Sequence, residues 1–312
     1  MNADRDNRLE ALQMSLDKGS SQAAFDEVCT VLDLWPEQDG RQAALKYARE
    51  TVQTWLPQDR RVRWEIGQGV PARATLSLSL ACGLRIRGQA LGTAGLAALA
   101  ALPELAHLSH LDLEVADLGD AGLAVLLTSP HLVGLTSLAI TASNVTDIGV
   151  GPLAGLETMA GMRSLSITRN MITDAGAIAV AQSPYLTHLA ILDLSETAVG
   201  AAGARALAQS PNVEHLQRLA LNATLLGDAS IIALAASPYL RGLEELDVAF
   251  AGITDNGVEA ISDSPYLTRL RTLDLRGVDF QNDSWAALMA IDFDEDEHDL
   301  GHWYRTIFDD LT

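Results

Sequence analysis

Seven times, at an unbroken spacing of 27 residues, the chain opens the frame L-x-x-L-x-L: at Leu108, Leu135, Met162, Leu189, Leu216, Leu243 and Leu270. Ala81, Leu84 and Ile86 form a degenerate eighth copy one period earlier. A fixed period of about 20–50 residues means a solenoid, because one such unit cannot bury its apolar face alone and must stack on the next. The period also lifts the size ceiling that would otherwise divide 312 residues into two domains. An array of this kind supplies a surface rather than a reaction, so the sequence does not name a partner.

Each copy opens with alternating apolar and exposed residues, as in Leu192-Asp193-Leu194, which reads as a short strand. One strand per turn stacks into a parallel sheet, with strands centred near Leu84, Leu111, Leu138, Leu165, Leu192, Leu219, Leu246 and Leu273. The ninth position (Ala116, Ser143, Asn170, Thr197, Thr224, Ala251) is small or hydrogen-bonding, as suits an inward turn with free backbone groups. Asp120, Asp147, Asp174, Asp228 and Asp255 then precede an alanine-rich apolar run and read as helix N-caps. Ala201 breaks that rule, which predicts a weaker start for its own helix. Gly122, Gly149, Gly176, Gly203 and Gly257 follow two residues on and let each helix lie close to the turn. Ser-Pro pairs at 129–130, 183–184, 210–211, 237–238 and 264–265 stop the helices, since a residue before proline disfavours the helical region. The third copy, with Leu156-Glu157, lacks the pair, so its helix is expected to run on or loop differently.

The pattern resembles the leucine-rich repeat, nearest its ribonuclease-inhibitor-like and cysteine-containing subclasses. Their I-T-D-x-G turn stands here as Ile172-Thr173-Asp174-Ala175-Gly176 and Ile253-Thr254-Asp255-Asn256-Gly257. The S-P-Y-L helix ends are similar to repeats of bacterial proteins of this kind. The resemblance covers residues 81–291 and implies an α/β, right-handed solenoid or horseshoe, with a parallel concave sheet and convex helices. For function it implies protein binding. The cysteines that name one subclass are absent, which gives no support to kinship with its ubiquitin-ligase adaptors.

Residues 1–73 do not keep the period. Leu9, Leu12 and Leu16 make one helical face; Phe25, Val28, Val31, Leu32 and Leu34 make a second, ended by Trp35-Pro36. A third runs from about Gly40 to Leu56, and three of the five tryptophans (Trp35, Trp55, Trp64) lie in this region. The expectation is a helical N-terminal cap at 1–73, an array at 74–291 and an acidic C-terminal capping segment at 292–312. Residues 74–80, with leucines alternating with serine and threonine, read as a strand leading into the array. In the tail, Asp292-x-Asp294-x-Asp296 is similar to the start of a calcium-binding loop. Glu297 stands where that loop needs glycine, and Trp303 where it needs its glutamate. His298 and His302 have no third ligand specified, so neither calcium nor zinc is expected.

Charge narrows the partner class. Residues 1–80 carry 12 acids and 10 bases, 81–291 carry 21 and 10, and 292–312 carry 8 and 1, within a net −20. That balance repels phosphate backbones and argues against nucleic acid. Two cysteines, no signal-like segment and no long apolar stretch point to a soluble, reducing compartment, read as the cytoplasm. Two lysines against 19 arginines, with abundant alanine, hint at a GC-rich bacterial source.

Strand alternation places the third, fifth, seventh and eighth residues of each copy on the concave face. The candidate partner-binding set there is Arg85, Arg87, Asp112, Glu114, Arg169, Asp193, Glu196, Arg218, Asp247, Phe250, Asp274 and Arg276. Asp247 and Asp274 fall on adjacent strands, about 4.8 Å apart, where Arg276 or Arg218 could offset them. Phe250 is the large aromatic of that face. No nucleophile–base set and no phosphate-binding glycine loop emerges, so neither catalysis nor a cofactor is expected. The reading is a non-enzymatic scaffold binding a protein through its concave face. Alternatives are an inhibitor or immunity protein for a basic partner, or an enzyme or adaptor acting through residues 1–73.

Overall fold

A computed structural model of the chain describes residues 2–36, 41–56, 60–66, 75–88, 91–115 and 117–278. The acidic segment 292–312, with both metal candidates, and Ala116 lie outside the described residues, as does the side chain of Trp64. The chain divides into two compact units, residues 1–138 and 139–312.

The first unit opens with three helices: α1 (Asn2–Asp17), α2 (Gln22–Asp33) and α3 (Arg41–Val52). Leu12, Leu16, Phe25, Val28, Leu32, Trp35 and Trp55 are buried among them, as the apolar faces require, whereas Leu9 and Leu34, expected on those faces, are exposed. Ser21 caps α2, its Oγ accepting from Ala24 N at 3.2 Å. The segment read as purely helical also holds a strand, β1 (Arg61–Ile66), and it is followed by a further helix, α4 (Thr75–Leu80). Then come β2 (Gly83–Gly88), α5 (Gly92–Ala100), β3 (His110–Val115) and α6 (Gly119–Leu127). β1, β2 and β3 are parallel neighbours, with Val62 opposite Leu84 and Leu84 opposite Leu111. The second step keeps the 27-residue period; the first is five residues shorter.

The strand expected at 74–80 is therefore corrected to a helix. Leu78 and Leu80, which point apart on a helix, are both buried because α4 packs against α2 and α3 and against the 3-10 turn Pro103–His107. A short helix covered on two sides reads like an alternating strand.

The division between the units falls inside β4 (Ser137–Ile140). The second unit continues with α7 (Asp147–Ala154), β5 (Ser164–Ser166), α8 (Asp174–Ala181), β6 (Ile191–Asp193), α9 (Ala201–Gln209), β7 (Arg218–Ala220), α10 (Gly227–Ala235), β8 (Glu245–Asp247), α11 (Asp255–Ser262) and β9 (Thr272–Asp274). β5 to β9 are parallel and in register, Leu165, Leu192, Leu219, Leu246 and Leu273 standing opposite one another. All five are buried, and the helices stack behind them as an α/β solenoid. The third copy stops its helix at Ala154 even without a Ser-Pro pair.

Two hydrogen-bond ladders join repeat to repeat. The repeated aspartates lie where expected, but Asp147, Asp174 and Asp228 bond to the start of the helix of the following repeat. Asp147 Oδ1 accepts from Thr173 N and Gly176 N, both at 2.9 Å, and its Oδ2 accepts from the Thr173 hydroxyl at 2.6 Å. Asp174 Oδ1 accepts from Gly200 N at 2.7 Å and Gly203 N at 2.8 Å. Asp228 accepts from the backbone and hydroxyl of Thr254. α7 and α8 take their own caps from Thr146 and Thr173. A helix N-terminus leaves four N–H groups unsatisfied and favours negative charge, so a carboxylate from the neighbouring repeat serves both needs. The weak start expected for α9 is thus corrected: Asp174 caps α9, and the loss at Ala201 falls on α10, whose start carries no side-chain cap.

The second ladder uses the serine of each Ser-Pro pair. Ser183, Ser210, Ser237 and Ser264 donate at 2.5–2.6 Å to the carbonyls of Ala154, Ala181, Ala208 and Ala235, at the ends of the preceding helices. Ser129 does the same to Ala100 in the first unit. In return each serine Oγ accepts from the backbone two residues on, at Tyr185, Asn212, Tyr239, Tyr266 and His131. Asn170 serves the inward turn. Its Oδ1 accepts from Ser143 N and Val145 N, and its Nδ2 donates to the carbonyls of Ile140 and Thr168.

Candidate functional site

Alternate residues of each strand face away from the helices, and the candidate residues are set out on that surface. In the first unit the register puts Arg85 opposite Asp112 and Arg87 opposite Glu114. Both pairs close as cross-strand ion pairs, the second at 2.5 Å. Half-exposed pairs of this kind contribute about 0–1 kcal/mol each, so they set charge pattern more than stability.

In the second unit Arg169 chelates Glu196, with Nε 2.9 Å from both carboxylate oxygens. Arg218 pairs with Glu245 at 3.3 Å, not with the aspartates. Arg276 does take the expected role, gripping Asp274 through Nε at 3.0 Å and Nη2 at 2.7 Å. Asp247 and Asp274 stand opposite each other as the spacing predicted. The three arginines of the candidate set in this unit are thereby each held by a carboxylate. Asp193 and Asp247 are left with no ion pair among the described residues. Asp193 accepts from Ser195 N at 3.0 Å; Asp247 accepts from Ala249 N at 3.2 Å and from Asn222 Nδ2 at 2.7 Å. Burial, and to a smaller degree the neighbouring Asp274, hold the Asp247 carboxyl above the ordinary aspartate range, against those hydrogen bonds.

A shallow hollow of about 130 Å³ opens here, lined by Arg218, Glu245, Leu246, Asp247, Thr272 and Asp274. Of these, Glu245 and Thr272 occupy face positions outside the candidate set. So does Asn222, which also donates to Ser195 Oγ at 2.8 Å and ties β6 and β7 to Asp247. Their positions in the period carried the signal; their uncharged or already paired chemistry hid it.

The eighth position of every described copy in this unit adopts a left-handed backbone: Ala142, Arg169, Glu196, Ala223, Phe250 and Gly277, with φ between 48° and 79°. Only one of the six is glycine, although a side chain there costs about 1–2 kcal/mol. The turn throws the chain inward to the buried ninth residue, and it lifts the eighth side chain outward. Phe250 is 56% exposed, and its ring lies over Gly277, where an added Cβ would meet Phe250 Cδ1.

Elsewhere, the Ser109 hydroxyl lies 2.7 Å from His110 Nδ1, a neighbour contact that the spacing did not suggest. The same hydroxyl lies 3.1 Å from the Cys82 carbonyl, and burial lowers the pKa of the imidazole. Among the described residues no three histidine, cysteine or acidic side chains gather as a metal site. Nor is any described helix long and apolar enough to cross a membrane.

Residues 162–181, 185–208 and 241–262 match the family model of the leucine-rich repeat. Comparison with characterised proteins returns no match. Among solved structures, the chain is similar to an internalin from Listeria monocytogenes at 14% identity, over 83% of this chain and 93% of that one, with a TM-score of 0.28. It is similar to a chain of the yeast Rad7–Elc1 complex at 14% identity, over 88% and 82%, with a TM-score of 0.41. A third likeness is the leucine-rich-repeat ectodomain of the Arabidopsis thaliana receptor kinase GASSHO1/SCHENGEN3, at 13% identity and a TM-score of 0.36. It extends over 72% of this chain and 27% of that one. At such identities and scores none of these bears on what the chain binds. The matched segments and the 27-residue parallel register give the chain the α/β solenoid fold of leucine-rich repeats.

Proposed function

We propose that the chain is a non-enzymatic scaffold that takes a protein partner on the exposed face of its sheet, and that the partner presents basic groups there. One observation carries the reading: on the β5–β9 face the candidate arginines are each already held, while Asp193 and Asp247 have no ion pair among the described residues and lie on the same face as an exposed Phe250. A cation from outside would meet carboxylates not closed into ion pairs at Asp193 and Asp247, and the aromatic would supply apolar contact. Arg169, Glu196, Arg218, Asp274 and Arg276 frame that surface; Arg85, Arg87, Asp112 and Glu114 offer balanced charge in the first unit. The net charge of −20 favours a second reading, in which the chain inhibits or neutralises a basic protein.

The test is kinetic, on a partner recovered by affinity capture. Asp193→Asn and Asp247→Asn should slow association at low salt and matter little at high salt. Phe250→Ala should speed dissociation roughly 30-fold, the equivalent of about 2 kcal/mol at a hot spot. Unchanged kinetics in all three variants contradict the proposal. Loss of the partner's own activity on binding distinguishes an inhibitor from a scaffold.

A further inference from the structure

Successive repeats of the second unit provide an internal comparison at four helix starts. Asp147 lies beneath Thr173 and Gly176, Asp174 beneath Gly200 and Gly203, and Asp228 beneath Thr254 and Gly257. In all three the residue before the helix is extended: Thr173 at φ −114°, Gly200 at φ −127° and Thr254 at φ −120°. At the fourth start Ala201 occupies the aspartate's place. There Gly227 turns left-handed at φ 63°, Leu226 is already right-handed helical, and no side chain caps α10. Gly200 and Gly227 are the same residue at the same position of the repeat, so the glycine itself does not decide the backbone. What differs is the carboxylate beneath and the residue before, Val199 against Leu226.

The next turn shows the converse. A Cβ on Gly176, Gly203 or Gly257 would lie 2.6–2.9 Å from the aspartate Oδ1 of the preceding repeat, which holds those positions to glycine. Above Ala201 the same position is Ser230, wholly buried, with its hydroxyl donating to the Leu226 carbonyl of its own repeat. Ala201 and Ser230 thus form a matched pair that replaces the Asp–Gly pair of the other joints. It exchanges bonds between repeats for one within a repeat. The joint keeps its strand register, with Leu192 opposite Leu219, and the bond from Ser237 to Ala208. On the side of the helix N-termini the backbone bond from Leu225 N to the Val199 carbonyl, at 2.9 Å, remains, and what is missing is the carboxylate's tie to the start of α10.

We propose that the second unit opens first at the α9–α10 joint, hinging on the sheet, so that residues 216–278 move as one block. That block carries Phe250 and every residue lining the hollow, while Asp193 stays behind. The relevance to binding rests on the function proposed above; the opening itself does not.

Hydrogen exchange of the full chain, followed by mass spectrometry without any partner, tests it. Amides of α10 and α11 should exchange together, about tenfold faster than those of α8 and α9. The double variant Ala201→Asp/Ser230→Gly should restore the carboxylate joint and slow α10 to the rate of α9. Ala201→Asp alone should instead speed α10, because its carboxylate meets the Cβ of Ser230. A single common rate for α8 to α11, a smooth gradient running back from α11, or a double variant that leaves α10 unchanged would each overturn the proposal. No partner enters the measurement, so its failure is distinct from failure of the binding reading.

Discussion

Asp174→Ala separates a cap on its own helix from a cap on the next one. As an ordinary N-cap, Asp174 would stabilise α8 by about 1 kcal/mol. In the structure α8 is capped by Thr173, whose Oγ1 accepts from Ala175 N, and the Asp174 carboxylate goes to Gly200 N and Gly203 N at 2.7 and 2.8 Å. Two backbone donors bonded to one half-buried carboxylate are worth about 1–1.5 kcal/mol each once water is allowed to replace part of the loss. The alanine variant should therefore lose about 2–3 kcal/mol in urea denaturation. Hydrogen exchange should quicken at the start of α9, around Gly203, and stay unchanged at the start of α8. A loss near 0.5 kcal/mol, or faster exchange confined to α8, would refute the assignment of the carboxylate to the following repeat.

Four further outcomes follow from the same contacts. Leu192→Ala should cost about 2–5 kcal/mol in thermal or urea denaturation, because Leu192 is fully buried between paired strands. Ser210→Ala should cost about 1–2 kcal/mol, since it strips the buried Ala181 carbonyl of a donor and the next turn of its cap. Gly176→Ala should destabilise, because its Cβ meets Asp147 Oδ1 and Ile172 Cγ2 at 2.6 Å. For pH, the native Asp247 holds its proton more tightly than the unfolded chain does. Its contribution is therefore most favourable below about pH 3.9 and declines as pH rises through the raised native pKa. Asp247→Asn should flatten stability over that window; an unaltered pH profile would contradict the burial of the carboxyl.

Much of this fold is legible before any coordinates, because period and strand alternation are long-range signals repeated eight times. The leucines from Leu84 to Leu273 each mark a strand. β1 escapes a search by period: Val62 pairs with Leu84 at a shorter step, although Val62, Trp64 and Ile66 alternate as a strand should. α4 escapes for a different reason, since its leucines are buried on two sides. The aspartates were visible as cap chemistry, yet a sequence pattern carries no record of which helix receives a side chain. Only stacking places Asp174 under Gly200 and not over its own helix. Face positions likewise followed from alternation, but the pairing of Arg218 with Glu245 and the grip of Arg276 on Asp274 depend on side-chain reach across strands. The left-handed eighth residue was hidden altogether, because the chain places arginine, glutamate, alanine and phenylalanine where glycine would have announced the turn.

The central claim is that a partner lies on the sheet face, and carboxylate footprinting tests it directly. The chain is labelled with carbodiimide and glycine ethyl ester with and without its captured partner, and modification is quantified residue by residue. The account predicts that Asp193, Glu196, Glu245 and Asp247 lose labelling together on binding, while Glu157, Glu259 and Asp263, away from the strands, keep theirs. Protection of Glu157, Glu259 and Asp263 with the four strand-side carboxylates unchanged would contradict it.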